Sequence, residues 1–133
     1  MSAERAIYLD TSAIVKLAVV EPESAALRSY LRRRRPLVSS ALARTEVGRA
    51  LAPFGATAVT RGQQALTRIN LVWVSDRVLE AAARLAPPEL RSLDAIHLAT
   101  AQQLGVSLVR IVTYDERMFD AAQAAGWAAV APS

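Results

Sequence analysis

The chain has 133 residues, just over half of them apolar, and carries a net charge of +4 with no cysteine and a single histidine. That length predicts one domain around one core, residues 1–133, and the missing cysteines exclude disulfides, thiolate zinc sites and cysteine nucleophiles. The positive charge is almost wholly arginine, Lys16 being the only lysine; it suits a polyanionic partner, and equally a protein from an arginine-rich genome, while the low aromatic share argues against a base-stacking surface.

In chain order, "AIYL" reads as a buried strand, and "DTS" then caps a helix over "AIVKLAV". "EPESAALRSYLRRRR" predicts a second helix, with Pro22 in its first turn and arginines at its negative end. "LVSS" is a short strand, and Ser39 or Ser40 caps "ALARTEVGRAL". "TAVTRGQQALTRI" reads as a helix, "LVWVS" as a strand, and Ser75 or Asp76 opens "DRVLEAAARLA". After Pro87–Pro88, Ser92 caps "LDAIHLATAQQL", which Gly105 closes. "VRIVTY" is a strand, "DERMFDAAQAA" a helix stopped by Gly126, and "WAAVA" a last strand. Strands alternating with helices predict an α/β fold with a mostly parallel sheet. No run approaches the roughly 20 apolar residues of a membrane span, and no signal peptide is visible.

Twelve acidic residues are few enough to read singly. Glu4, Glu21, Glu23, Glu80, Glu89, Glu116 and Asp120 sit where solvent-facing charge is expected. Asp10 and Asp115 each follow a strand, and ligands of open parallel sheets bind at carboxyl strand ends near a topological switch point. Helix capping explains either equally well; if Thr113 caps the last helix through a Thr113–Glu116 capping box, Asp115 is left free. Asp94 falls at the second helical position after Ser92, where the helix dipole favours an anion by about 0.3–1 kcal/mol. Its neighbour three residues on is His97, so the pair reads as a metal site, a catalytic pair or a hydrogen-bonded helix start. Glu46 lies more than a turn inside its helix and faces packed structure, or pairs with Arg49.

If these four converge within about 5 Å at an effective dielectric near 20, each pair repels by roughly 3 kcal/mol. Such a cluster raises its own pKa values or recruits a cation. With no cysteine and one histidine, the ion that fits is hard, Mg²⁺ or Mn²⁺, the apparatus of phosphoryl chemistry.

"IYLDTSAIVKL", "SSALARTEVGRAL", "SLDAIHLATAQQLG" and "IVTYDERMFDAAQAAG" resemble, in order and spacing, the blocks of the PIN-domain ribonucleases, more closely the VapC toxins of VapBC toxin–antitoxin modules. The resemblance covers essentially the whole chain, and "LDTSA" with "LDAIHLA" is its most specific part. It implies a three-layer α/β/α sandwich and Mg²⁺- or Mn²⁺-dependent endonucleolytic cleavage of RNA, with a metal-activated water attacking the phosphodiester. It places Asp10 and Asp94 as principal metal ligands, Glu46 and Asp115 as further ligands or holders of water, and Ser12 and Thr113 as supporting hydroxyls. It further implies a bacterial or archaeal cytoplasmic protein, a VapB-type antitoxin partner and a homodimer.

Arg44 and Arg49 flank Glu46 and could meet an RNA phosphate or pair with the carboxylates. Residues 32–35, "RRRR", point around a helix and read as a solvated end or an RNA rim. Trp73 and Trp127 read as core or dimer contacts. The apolar faces of "ESAALRSYL" and "AVTRGQQALTRI" are ordinary core or a groove for an antitoxin helix. His97 reads as a structural neighbour of Asp94. Among rivals, a receiver-like phospho-acceptor wants an acidic pair after its first strand and a lysine after a late one. A haloacid-dehalogenase-type phosphatase wants a second aspartate where Ser12 stands. A non-catalytic PIN-like module that binds RNA or a partner is the remaining alternative.

Overall fold

In the computed structural model, which describes residues 5–133, the apolar run Ala6–Leu9 forms strand β1, buried on both faces. Glu4, read above as surface charge, lies outside the described residues. The chain continues through helix α1 (Thr11–Ala18), α2 (Ser24–Leu31), β2 (Leu37–Ser40), α3 (Ala43–Leu51), α4 (Ala56–Leu66) and β3 (Asn70–Val72). Helices α5 (Asp76–Ala83) and α6 (Ser92–Gln102), strand β4 (Leu108–Val112), helix α7 (Glu116–Ala124) and strand β5 (Ala129–Val130) complete it.

The strands lie in the order β3-β2-β1-β4-β5, and every pairing is parallel. The chain therefore builds outward from β1 on one side and then crosses to the other. The switch point falls between β1 and β4, with both carboxyl ends opening on one edge.

Period-two alternation divides the core. Ile7, Leu9, Leu37 and Val112 pack under α1 to α4, with Ile14, Leu27, Val47 and Leu51 filling that layer. Ala6, Tyr8, Val38 and Ile111 face the other way, against Leu98 of α6 and Met118 and Ala122 of α7, while α5 packs on α6. This is the three-layer α/β/α sandwich expected.

Trp73 is not part of the core. Strand β3 stops at Val72, and the indole is 79% exposed. Trp127 is partly buried and packs on the α6–α7 layer. The four arginines of residues 32–35 are all exposed, Arg34 stacking over Tyr30 at 3.9 Å. Lys16 lies in α1, held by Glu21 and Glu23 at 3.2 and 2.9 Å, with Nζ 4.8 Å from the Tyr114 ring centroid.

The faces of α2 and α4 are not wholly closed against each other. A cleft of about 440 Å³ opens between them, with Leu31, Leu37 and Ile69 on its floor and Arg28, Arg61 and Arg68 at its mouth. No helix among the described residues is long and apolar enough to cross a membrane.

Candidate active site

Asp10 leaves β1 at its carboxyl end and is 3% exposed. Its carboxylate caps α1, Oδ1 accepting from the Ala13 amide at 3.1 Å. The same Oδ1 accepts from Ser12 Oγ at 2.6 Å, and Oδ2 accepts from Thr113 Oγ1 at 2.6 Å. The capping reading thus holds for this residue. Burial pushes the carboxyl above its ordinary range, and the Ser12 and Thr113 hydroxyls and the Ala13 amide only partly offset it. Asp10 is an anion held at a cost that a nearby cation would relieve.

The end of strand β4 brings Thr113 beside it, and of the two capping readings for α7 the structure shows the one through Asp115. Asp115 is itself the N-cap of α7, Oδ1 accepting from the Met118 amide at 3.1 Å. Thr113 does not cap; its buried hydroxyl is committed to Asp10 and also accepts from the Asp115 amide at 3.1 Å. Ser12 joins the same junction, its hydroxyl accepting from the Tyr114 amide at 2.9 Å. The two strand ends are therefore stitched together across the switch point by hydroxyls.

Helix α6 also starts differently. Arg91 has extended backbone and its carbonyl accepts from the Ala95 amide, so Arg91 is the N-cap, without a side-chain cap, and Ser92 is already helical. Asp94 becomes the third helical residue. It is pushed upward by burial first and then by the charge of Asp115, with Arg91 working against both. Arg91 spans the two carboxylates, Nε at 3.4 Å from Asp94 Oδ2 and one terminal nitrogen at 3.4 Å from Asp115 Oδ2.

Glu46 lies in the first turn of α3, not beyond it, because the helix begins at Ala43 after a turn in which Ser40 Oγ accepts from the Leu42 amide. It does not pair with Arg49. Its Oε1 takes two short contacts, 2.6 Å from Thr11 Oγ1 and 2.6 Å from His97 Nε2. Burial raises the Glu46 carboxyl, but those two hydrogen bonds outweigh it and hold the group below its usual range. His97 is buried, and its partners are Glu46 and Tyr8 rather than Asp94. Arg44 and Arg49 are exposed and form no ion pair among the described residues.

Sequence reading missed Tyr8, Thr11 and Arg91. Two of these left a trace: Tyr8 is a phenol on the same strand face as Asp10, and Arg91 stands one helical turn before Asp94. The Glu46–His97 contact left none, since 51 residues separate its members.

The donor set is all oxygen: four carboxylates with Ser12 and Thr113 beside one of them. Among the described residues, no three His, Cys, Asp or Glu side chains form a group that could hold a metal ion between them. Mg²⁺ is ordinarily held by one or two carboxylates and keeps several waters. With Asp10 and Asp94 both resisting ionisation, the set fits a hard divalent ion.

Comparison with known proteins shows the family and the fold. The family model described as "PIN domain" matches residues 7–124. The chain is 63% identical over 128 residues to Ribonuclease VapC46 of Mycobacterium tuberculosis (strain ATCC 25618 / H37Rv), covering 96% of this chain and 98% of that protein. It is 42% identical to Ribonuclease VapC35 of M. tuberculosis (strain CDC 1551 / Oshkosh), covering 95% and 96%. Two solved structures share the fold. The M. tuberculosis VapC20 crystal structure, a toxin described as cleaving the sarcin–ricin loop, matches at TM-score 0.74 and 21% identity over 95% of this chain and 99% of that one. A toxin–antitoxin complex from Klebsiella pneumoniae matches at 0.72 and 24%, over 96% and 98%.

Proposed function

Since the chain belongs to the PIN-domain family and, within it, to the VapC ribonucleases, we propose that it is a type II toxin that hydrolyses RNA phosphodiester bonds at the cleft between β1 and β4. The observation that carries this reading is the junction at the switch point: Asp10 and Asp115 end adjacent parallel strands, and Arg91 ties Asp115 to Asp94. PIN-domain VapC ribonucleases depend in general on a divalent metal. In this chain Asp10 and Asp94 would hold the Mg²⁺ or Mn²⁺, with Glu46 and Asp115 as further ligands or as acceptors for its waters. When bound, the ion supplies a water of lowered pKa and neutralises charge on the phosphate.

The chain's own residues do the rest. Ser12 and Thr113 hold both oxygens of Asp10, fixing the plane of its carboxylate. Arg44 and Arg49, exposed beside Glu46 and without an ion pair among the described residues, draw the RNA backbone to the cleft. The attacking water's proton passes to a carboxylate, the site offering no other base.

The whole chain acts as one PIN domain in the cytoplasm. Its antitoxin, of the VapB type, lays a helix in the α2–α4 cleft, whose apolar floor and arginine mouth suit an amphipathic acidic segment. Two copies pair as a homodimer.

The test is cleavage of RNA by the purified chain with Mg²⁺ or Mn²⁺, compared with EDTA and with Asp10→Asn and Asp94→Asn. Loss of cleavage in all three supports the reading. Binding of RNA without cleavage in any metal leaves the non-catalytic alternative, and cleavage indifferent to EDTA and both substitutions overturns the mechanism.

A further inference from the structure

The site contains a buried polar chain that no step above uses. It runs from Tyr8 on β1 to His97 on α6, to Glu46 on α3, and to Thr11 on α1. Tyr8 is fully buried, and its ring meets the imidazole edge-on, centroids 5.9 Å apart at 73°. The phenol oxygen lies 2.7 Å from His97 Nδ1. A buried hydroxyl must find an acceptor. Among the described residues the phenol is in hydrogen-bonding geometry with Nδ1 alone; the neighbouring Ser39 and Thr100 hydroxyls, the latter donating to the Ile96 carbonyl at 2.7 Å, are not. Nδ1 therefore accepts from Tyr8, and the ring's proton sits on Nε2, aimed at Glu46 Oε1.

Glu46 Oε1 is then saturated by two donors, while Oε2 has no hydrogen-bond partner among the described residues, on a side chain that is 19% exposed. Three of the four elements joined by this chain carry a carboxylate of the site. Asp10 follows Tyr8 by two residues on β1, Asp94 precedes His97 by three on α6, and Glu46 itself is the α3 member. The chain is thus a brace across the sheet and both helical layers.

We propose that Tyr8 and His97 are positioning residues for the reaction: Tyr8 locks His97 as the Nε2–H tautomer, and His97 with Thr11 turns Glu46 so that Oε2 alone faces the cleft. This rests on the ribonuclease reading for its kinetic consequence but not for its geometry. Outer partners that orient site ligands are generally worth 10–100-fold in activity.

Because the chain has one histidine, ¹⁵N-histidine labelling produces one pair of imidazole nitrogens, readable in the folded wild type. The expected spectrum shows a protonated Nε2 and a bare, hydrogen-bonded Nδ1. Tyr8→Phe should move the Nδ1 resonance, and Glu46→Gln the Nε2 resonance. In RNA cleavage, Tyr8→Phe and His97→Leu should lower kcat by about 10–100-fold with KM unchanged. His97→Gln, whose amide can still donate to Glu46, should recover part of it. A wild-type ring protonated on Nδ1, or kcat unmoved in both Tyr8→Phe and His97→Leu, overturns the proposal. A wild type that cleaves no RNA sinks the ribonuclease reading, while the spectrum still decides the tautomer.

Discussion

Replacing Asp10 with asparagine should stabilise the metal-free protein while abolishing activity. Asparagine keeps the shape and remains a good N-cap, so the Ala13 amide keeps its acceptor. Its amide nitrogen faces one of the two hydroxyls that now donate to the carboxylate at 2.6 Å. That hydroxyl can rotate to accept, at a cost of about 1 kcal/mol as a charged hydrogen bond becomes neutral. Against this stands relief of a buried carboxylate with no cationic partner in contact, worth several kcal/mol. The balance is a gain of about 1–2 kcal/mol, or about 4–8 °C in Tm for a chain of this length.

The gain must also depend on pH. The folded pKa of Asp10 lies above its unfolded value. Its contribution to wild-type stability is therefore fully present below the unfolded pKa and is lost as pH rises through the folded one. The advantage of Asp10→Asn should accordingly be smallest in acid and grow to a plateau above the folded pKa. Mg²⁺ at about 100 times its Kd should stabilise the wild type by about 2.7 kcal/mol and the variant far less, reversing their order. Thermal melts from pH 5 to 8, in EDTA and in Mg²⁺, read all three effects. A variant less stable than wild type at pH 7.5 in EDTA, or an advantage independent of pH, would refute the reasoning.

Arg91 competes with any cation for Asp94 and Asp115. Its side chain is 62% exposed, so the two pairs together are worth about 1 kcal/mol after screening. Arg91→Ala should tighten Mn²⁺ binding, measured by electron paramagnetic resonance, by about 5-fold; weaker binding would show that Arg91 supports the ion instead of displacing it. Gly62 lies where α4 crosses α3, and a Cβ there would overlap Leu51 Cδ1 and stand 3.1 Å from Val47 Cγ1. Both neighbours are buried, so overpacking of about 1–3 kcal/mol should exceed the roughly 1 kcal/mol of helix propensity that alanine adds. Gly62→Ala should lower Tm, and a raised Tm would mean that α3 and α4 separate more easily than their packing implies.

The strand-then-helix alternation, and with it the parallel sandwich, was legible because hydrophobic period and turn chemistry are local. Asp10 and Asp115 stood out for the same reason, since a carboxylate after an apolar strand is visible in five residues. Cap assignments were less legible. Ser92 and Thr113 are good caps in isolation, yet Ser92 is already helical and Thr113 spends its hydroxyl on Asp10. Local propensity cannot know of a competing acceptor 103 residues away.

The amino-acid sequence by itself determined the element order and the family, and it singled out the oxygen-bearing side chains proposed for the site. Only the tertiary structure decided which donors each carboxylate meets. The all-parallel order β3-β2-β1-β4-β5 brings Asp10 against Thr113, and His97 of α6 meets Glu46 of α3 instead of its own neighbour Asp94. These contacts join residues far apart in the chain, and a buried group takes whatever partner the packing supplies, since leaving it unsatisfied costs more than any local preference.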